Sequence, residues 1–386
     1  MPVELGLTRL LRSNRLRGRR VGLVCNPASI DHEFRHAVDL LLEAPGVELA
    51  AVFGPQHGFR SDVQDNMIES PHARLGAIPV YSLYSETREP TVEMLQGLDV
   101  LVVDLQDIGA RIYTYIYTMA NCLRACRRHG VPVIVCDRPN PIGGEDVEGP
   151  TLEAGLESFV GQFPIPMRHG LTIGELARLF NDHFGLGAAV DVERMAGWAR
   201  RQYWDETGLP WVMPSPNIPT LDSAIVYPGT VLLEGTMASE GRGTTRPFEV
   251  VGAPWVVAEP FAAALNARRL PGAHFRPVVF EPTFQKHART TCGGCQIHVL
   301  DRRAFRPVLT GVAIVDAIRA ADPDAFGWRP PPYEYEHDKE PFDILAGSPA
   351  LRAALEAGEL AERIAPGWRA GEEAFRRLRE PFLLYS

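Results

Sequence analysis

Between residues 20 and 136, five short runs rich in β-branched residues alternate with amphipathic stretches, and few architectures accept that rhythm. The runs are 20–25 (RVGLVC), 47–53 (VELAAVF), 78–83 (IPVYSL), 99–105 (DVLVVDL) and 131–136 (VPVIVC), with helical segments such as 34–42 and 118–128 between them. Strands that are apolar throughout are buried on both faces, so the pattern predicts a parallel sheet covered by helices on each side. Gly46, Gly97 and Gly130 stand where helical stretches end, as C-terminal glycines do. Around 146–170 the alternation stops and proline and glycine become frequent. The 386 residues are enough for about two to three domains. We expect an α/β domain over 1–150 and a second α/β (α+β) domain over 151–386.

Polar residues gather after the runs. Asn26 follows the first, Gln56 and His57 the second, Asp107 and Arg111 the fourth, and Asp137, Arg138 and Asn140 the fifth. In open α/β sheets the carboxyl ends of the strands are where ligands bind. Tyr113, Tyr115 and Tyr117 come next, and two readings stand side by side: an aromatic stripe entering the core, or stacking faces for a sugar ring. Further on, 211–220 (WVMPSPNIPT) presents Ser215 and Asn217, and 234–248 (EGTMASEGRGTTRPF) sets Glu240, Arg242 and Thr244 among glycines. The segment 282–287 (PTFQKH) carries Lys286, one of only two lysines. Thr172-Ile-Gly-Glu175 reads as a capping box, which makes Glu175 a helix cap. Residues 327–340 read as an irregular, mobile segment, and 368–378 as a helix with arginines on its outer face.

Several chemistries are excluded. GxGxxG does not follow the first strand, and neither GxxxxGK[ST] nor HExxH occurs, so dinucleotide, P-loop and zinc-peptidase sites have no footing. Met237-Ala-Ser239-Glu-Gly241 lacks the first glycine of a GxSxG elbow, so Ser239 only half fits the motif of a nucleophile. A net charge of −9 is a poor footprint for nucleic acid, and no run of about 18 apolar residues would span a membrane. Cys292-Gly-Gly-Cys295 has no second pair and reads as ordinary thiols, so no metal is expected. The first residues show no apolar signal region, and a reducing, cytoplasmic setting is expected.

The ordered motifs NPAS (26–29), FGPQHGFR (53–60), DLQDIGARIYTYIYTM (104–119), DRPNPIGG (137–144), HGLTIGELA (169–177), PSPNIPT (214–220) and EGTMASEGRGTTRPFE (234–249) resemble the NamZ-type exo-β-N-acetylmuramidases, and the likeness runs from about residue 18 to 386. It implies a Rossmann-like domain without a nucleotide, packed on a smaller α/β domain, with the active site in the cleft between them. It implies hydrolysis of a non-reducing-terminal N-acetylmuramic acid from peptidoglycan fragments, without a cofactor. Muramic acid carries a lactyl carboxylate, for which a guanidinium is the natural partner. Arg111, Arg138 and Arg242 are the arginines in matching motifs. Relatives commonly carry a glutamate, proposed as catalytic, where this chain has Gln56, and an amide has no proton to give. Glycoside hydrolysis needs two carboxyl groups, or one when the substrate's acetamido group takes part. Among the matching carboxylates Glu240 and Asp107 rank first as the acid, ahead of Asp104 and Asp137, with His57 a further acid–base group. Because of Gln56, an altered hexosaminidase and a non-catalytic sugar-binding protein stand as alternatives.

Overall fold

The computed structural model describes residues 2–65 and 67–386. Strands β1 (Arg20–Cys25), β2 (Glu48–Gly54), β3 (Ala73–Leu75), β4 (Ile78–Ser82), β5 (Val100–Asp104) and β6 (Val133–Cys136) come first. A two-stranded ribbon, β7 (Glu148–Thr151) with β8 (Pro166–Arg168), follows, and then β9 (Val190–Glu193). The large sheet has the order β3-β4-β2-β1-β5-β6-β9, parallel except where β3 runs against β4. From β1 the chain moves outward to β4, then returns to β5 on the other side, so the order reverses beside β1. That reversal opens the crevice in which α/β proteins place ligands.

Alternate side chains leave the two faces of each strand. Val21, Leu23 and Cys25 join Leu7, Leu10, Val38 and Leu41 from helices Gly6–Arg12 and Ala37–Glu43. Val24, Leu101 and Val103 face the other way, against Ile116, Met119 and Leu123 of helix Tyr115–His129. This helix ends at Gly130, whose left-handed φ of 69° suits a residue without a Cβ.

The sheet does not stop at residue 150. Val133–Cys136 pairs in register with Val190–Glu193, so a boundary at 150/151 would cut the sheet, and the first unit runs past residue 193. The reason is that β9 is a short, half-exposed edge strand carrying Asp191 and Glu193, charges that protect an edge and hide its strand character. The capping box of Thr172 and Glu175 forms with both bonds and opens helix Ile173–Arg178.

The remainder builds a three-stranded antiparallel sheet, with β12 (Cys292–Val299) between β10 (Val250–Ala253) and β11 (Ala273–Phe280). Helices Leu221–Thr230 and Pro307–Ala321 pack against each other so closely that a Cβ on Gly311 would lie 2.2 Å from the Gly229 carbonyl oxygen. Leu233, Val312 and Phe342 belong to the same apolar cluster as Val103 and Ile116, so the two halves share one core. Helix Arg369–Arg379 turns one arginine inward: Arg379 is buried and donates to the carbonyls of Gly144, His169, Gly170 and Glu145. Cys292 and Cys295 are three apart on one strand and both buried, which sends their side chains to opposite faces. Among the described residues no helix is long and apolar enough to cross a membrane.

Candidate active site

A cavity with about 460 Å³ of empty space, mouth included, opens where the loop after β2 and the start of helix Tyr115–His129 meet the second half of the chain. From the first half come Gln56, His57, Tyr113 and Tyr115; from the middle, Ser215 and Asn217; from the second half, Tyr227, Glu234, Arg242, Tyr333 and Glu334.

Each wall has a local cause. His57 sits at a φ of 71°, followed by Gly58 at 80°, a left-handed pair that turns the chain sharply at the end of β2. Its Nδ1 lies 2.8 Å from the Val63 carbonyl oxygen, which can only accept, so Nδ1 carries the proton and Nε2 keeps a lone pair. Burial, followed by the charge of Arg242, pushes the imidazole pKa down to about 4, so His57 is neutral through the physiological range. Tyr113 and Tyr115 pack with their rings tilted by 59° and their centroids 4.7 Å apart, and Tyr113 meets Tyr227 edge-on at 5.9 Å. Tyr117, one turn further along, instead stacks on Phe180 in the core. The run therefore divides: Tyr113 and Tyr115 line the cavity, and Tyr117 packs into the core. Asn217 is fixed by the Gln64 backbone, to whose carbonyl oxygen its Nδ2 donates at 2.6 Å.

Charges alternate along one side. Arg242 Nη2 donates to Glu234 Oε1 at 2.7 Å, and its Nε lies 3.3 Å from Glu240 Oε1. Lys286 Nζ lies 2.6 Å from Glu240 Oε2 and donates to the Leu233 carbonyl oxygen at 2.8 Å. Two cations and two anions thus interleave, which is how buried charge is tolerated. Burial works to raise the pKa of Glu234, but the charge and hydrogen bond of Arg242 and the bond from Tyr333 Oη (2.7 Å) hold it below the ordinary carboxylate range. Glu234 is therefore an anion.

Opposite lies Glu334, 3% exposed. Its Oε1 accepts from Gln56 Nε2 at 3.1 Å and its Oε2 from Tyr84 Oη at 2.7 Å, while Thr114 Oγ1 donates to Gln56 Oε1 at 2.8 Å. Burial and the nearby charge of Glu234 raise its pKa against the bonds from Tyr84 and Gln56 and the charge of Arg242. Glu334 and Tyr335 both take left-handed φ values, 45° and 69°, a strained turn of the kind that gathers at functional sites. Sequence reasoning missed Glu334 because 327–340 is irregular. The signal available was an acid between two tyrosines in a proline-rich stretch. The segment is irregular as expected, but Tyr333 and Glu334 are buried in the cavity wall.

Several expected residues lie elsewhere. Glu240, 1% exposed, is behind Arg242 and does not line the cavity. Asp107 is outside it too, accepting from the Gly109 N–H at 2.7 Å and facing His169 at 3.6 Å. Arg138 is bound in two-pronged fashion to Asp104, at 2.7 and 2.8 Å. Asp137, ranked behind Glu240 and Asp107 as the acid, receives the Arg138 backbone N–H and caps helix Ile173–Arg178 through the Gly174 N–H and Thr172 Oγ1, with Tyr385 Oη as a further donor. Arg111 is fully buried and spends its Nη2 on the carbonyls of Leu345 and Ala346. Asn26 ties the β1 and β5 loops to the Pro214 carbonyl, Asn140 holds its own loop to the Leu171 carbonyl, and Thr244 bonds back to the Gly241 carbonyl. Buried Ser239 Oγ accepts from the Gly241 N–H and is not in the cavity wall. Of the three arginines only Arg242 lines the cavity, because residue type gives a charge but not the partner that consumes it. Among the described residues no three His, Cys, Asp or Glu side chains group as a metal site.

Comparison with known proteins agrees over the whole chain. The profile of the exo-β-N-acetylmuramidase NamZ N-terminal domain matches residues 21–222 and that of its C-terminal domain residues 225–385. Peptidoglycan β-N-acetylmuramidase NamZ of Bacillus subtilis is 44% identical over 99% of this chain and 91% of its own length. Two crystal structures of DUF1343 family proteins from Bacteroides fragilis superpose with TM-scores of 0.89 and 0.77, at 38% and 26% identity, each covering 100% of this chain and 99% of its own. The chain belongs to the NamZ exo-β-N-acetylmuramidase family.

Proposed function

We propose that this protein is a glycoside hydrolase that removes a terminal β-linked N-acetylmuramic acid from peptidoglycan fragments. The observation that carries the reading is the end-to-end match of both domains, in order, to the muramidase family. The cavity supplies a chemistry that fits. Tyr113, Tyr115 and Tyr227 offer apolar ring faces and Asn217 and Ser215 polar groups, the mixture by which a small polar ligand is oriented. Arg242 is the cavity's guanidinium for the lactyl carboxylate. Glu234 places a fixed negative charge where the anomeric carbon becomes oxocarbenium-like.

The test is release of nitrophenol from a para-nitrophenyl β-N-acetylmuraminide, beside the matching N-acetylglucosaminide. Turnover confined to the muraminide is the expected result. Preference for the glucosaminide would make the chain a hexosaminidase of another sugar. Saturable binding of the muraminide without turnover would make it a sugar-binding protein.

A further inference from the structure

Breaking a glycosidic bond to a sugar leaving group requires a proton for the departing oxygen, and the groups lining the cavity can be taken in turn. Gln56 is an amide. His57 is neutral, with its single ring proton committed to the Val63 carbonyl. Glu234 is an anion between Arg242 and Tyr333. The tyrosines are buried phenols, weaker acids than in water. Glu240 and Asp107, the carboxyl groups favoured by their motifs, are outside the cavity. One lining carboxyl group is left.

Building on the muramidase reading, we propose that Glu334 is the general acid, delivered to the cavity wall by the 327–340 segment and aimed there by Tyr84 and Gln56. Three independent features converge on it. It is almost fully buried yet lines the cavity. Each of its oxygens accepts one protein hydrogen bond, from Gln56 and from Tyr84, which leaves lone-pair positions to hold and give a proton. Its backbone is held in a conformation that non-glycine residues avoid, with Tyr335 the same. The ionisable groups that act on it are Tyr84, Glu234 and Arg242. Burial and then the charge of Glu234 outweigh the hydrogen bonds from Tyr84 and Gln56 and the charge of Arg242, so the carboxyl group keeps its proton to higher pH than a solvated glutamate.

In the reaction the bond between the anomeric carbon and the leaving oxygen breaks. Its electron pair stays on that oxygen, which takes the Glu334 proton and departs as an alcohol. The anomeric carbon gains the oxygen of one water, and the proton that water gives up restores Glu334. One water is consumed and no net charge is created. Gln56 then has a purpose that does not require acidity: Thr114 fixes its carbonyl, so its amide is oriented to donate to Glu334.

The test compares Glu334→Gln with wild type on two muraminides, one with a nitrophenyl leaving group and one with N-acetylglucosamine as the leaving sugar. An activated phenol departs without protonation and a sugar alcohol does not. Loss of about 100-fold or more on the disaccharide, with a far smaller loss and no alkaline limb on the aryl substrate, is expected. Equal losses on both, or full activity on the disaccharide, would overturn the assignment. Tyr84→Phe covers the case in which Glu334→Gln fails to fold. Removing a donor that favours the ionised carboxylate should move the alkaline limb of kcat/KM to higher pH, and an unmoved limb counts against Glu334. Wild type inert on both muraminides would instead remove the muramidase reading on which the assignment rests.

Discussion

Gln56→Glu places a second carboxyl group where an amide now donates. The present Nε2 to Oε1 separation of 3.1 Å would become a separation between two carboxylate oxygens. At an effective dielectric of about 20, two unit charges that close repel by about 5 kcal/mol, or about 4 pH units. Side-chain rotation would relieve part of this, and Thr114 still donates to residue 56 from 2.8 Å, so we expect at least half to survive. The two groups then titrate as a pair that releases its first proton easily and keeps its second. If Glu334 supplies the proton, the alkaline limb of kcat/KM on the muramic disaccharide should rise by about 2 units or more. The measurement is a pH profile of sugar release by wild type and variant under identical ionic strength. Limbs that coincide within about half a unit would refute the argument: either residues 56 and 334 do not face each other in solution, or the Glu334 proton does not set that limb.

Asp104→Asn should cost about 3–5 kcal/mol in urea unfolding, since it strands the buried Arg138 guanidinium, while the paired change Asp104→Leu with Arg138→Met should recover most of it. Asp137 is raised to about 7, first by burial and then by Glu175; a carboxyl pKa raised on folding gives stability that is complete below its unfolded value of about 4 and lost as pH rises through 7. Unfolding midpoints of Asp137→Asn should therefore decline less than wild type between about pH 5 and 8. Arg242→Lys keeps the charge between Glu234 and Glu240 but loses the planar fork, and should lower kcat/KM on the muraminide by about tenfold or more. Arg111→Met removes a guanidinium that lies outside the cavity and donates to the Leu345 and Ala346 carbonyls, and should leave the ratio of muraminide to glucosaminide activity unchanged, whatever it does to stability.

The sheet could be read from the chain because a parallel strand buried on both faces must be apolar along its whole length. β1 falls at 20–25 as expected, and β2, β4, β5 and β6 lie within two residues of their sequence limits. β3 and β9 could not be read this way. Each is a short edge strand, exposed on one side and carrying charge, so neither leaves a hydrophobic run. The same holds for the domain boundary, which followed from a change in rhythm at 150 and missed the strand that rejoins the sheet at Val190–Glu193.

At the site, the chain alone determined that polar loops crowd the carboxyl ends of the strands and that Gln56, His57, Tyr113, Tyr115, Asn217 and Arg242 belong to matching motifs. Only the tertiary structure decided which of them share a cavity. An arginine or a glutamate is the same letter whether it faces solvent, a ligand or a buried partner, and the partners here are distant in sequence: Arg111 with the carbonyls at 345 and 346, Glu240 with Lys286, Gln56 with Glu334. Periodicity reports burial within one element, whereas ionisation depends on every charge within several ångströms. For that reason the proton donor, carried on a segment with no period at all, came into view only when the chain was folded.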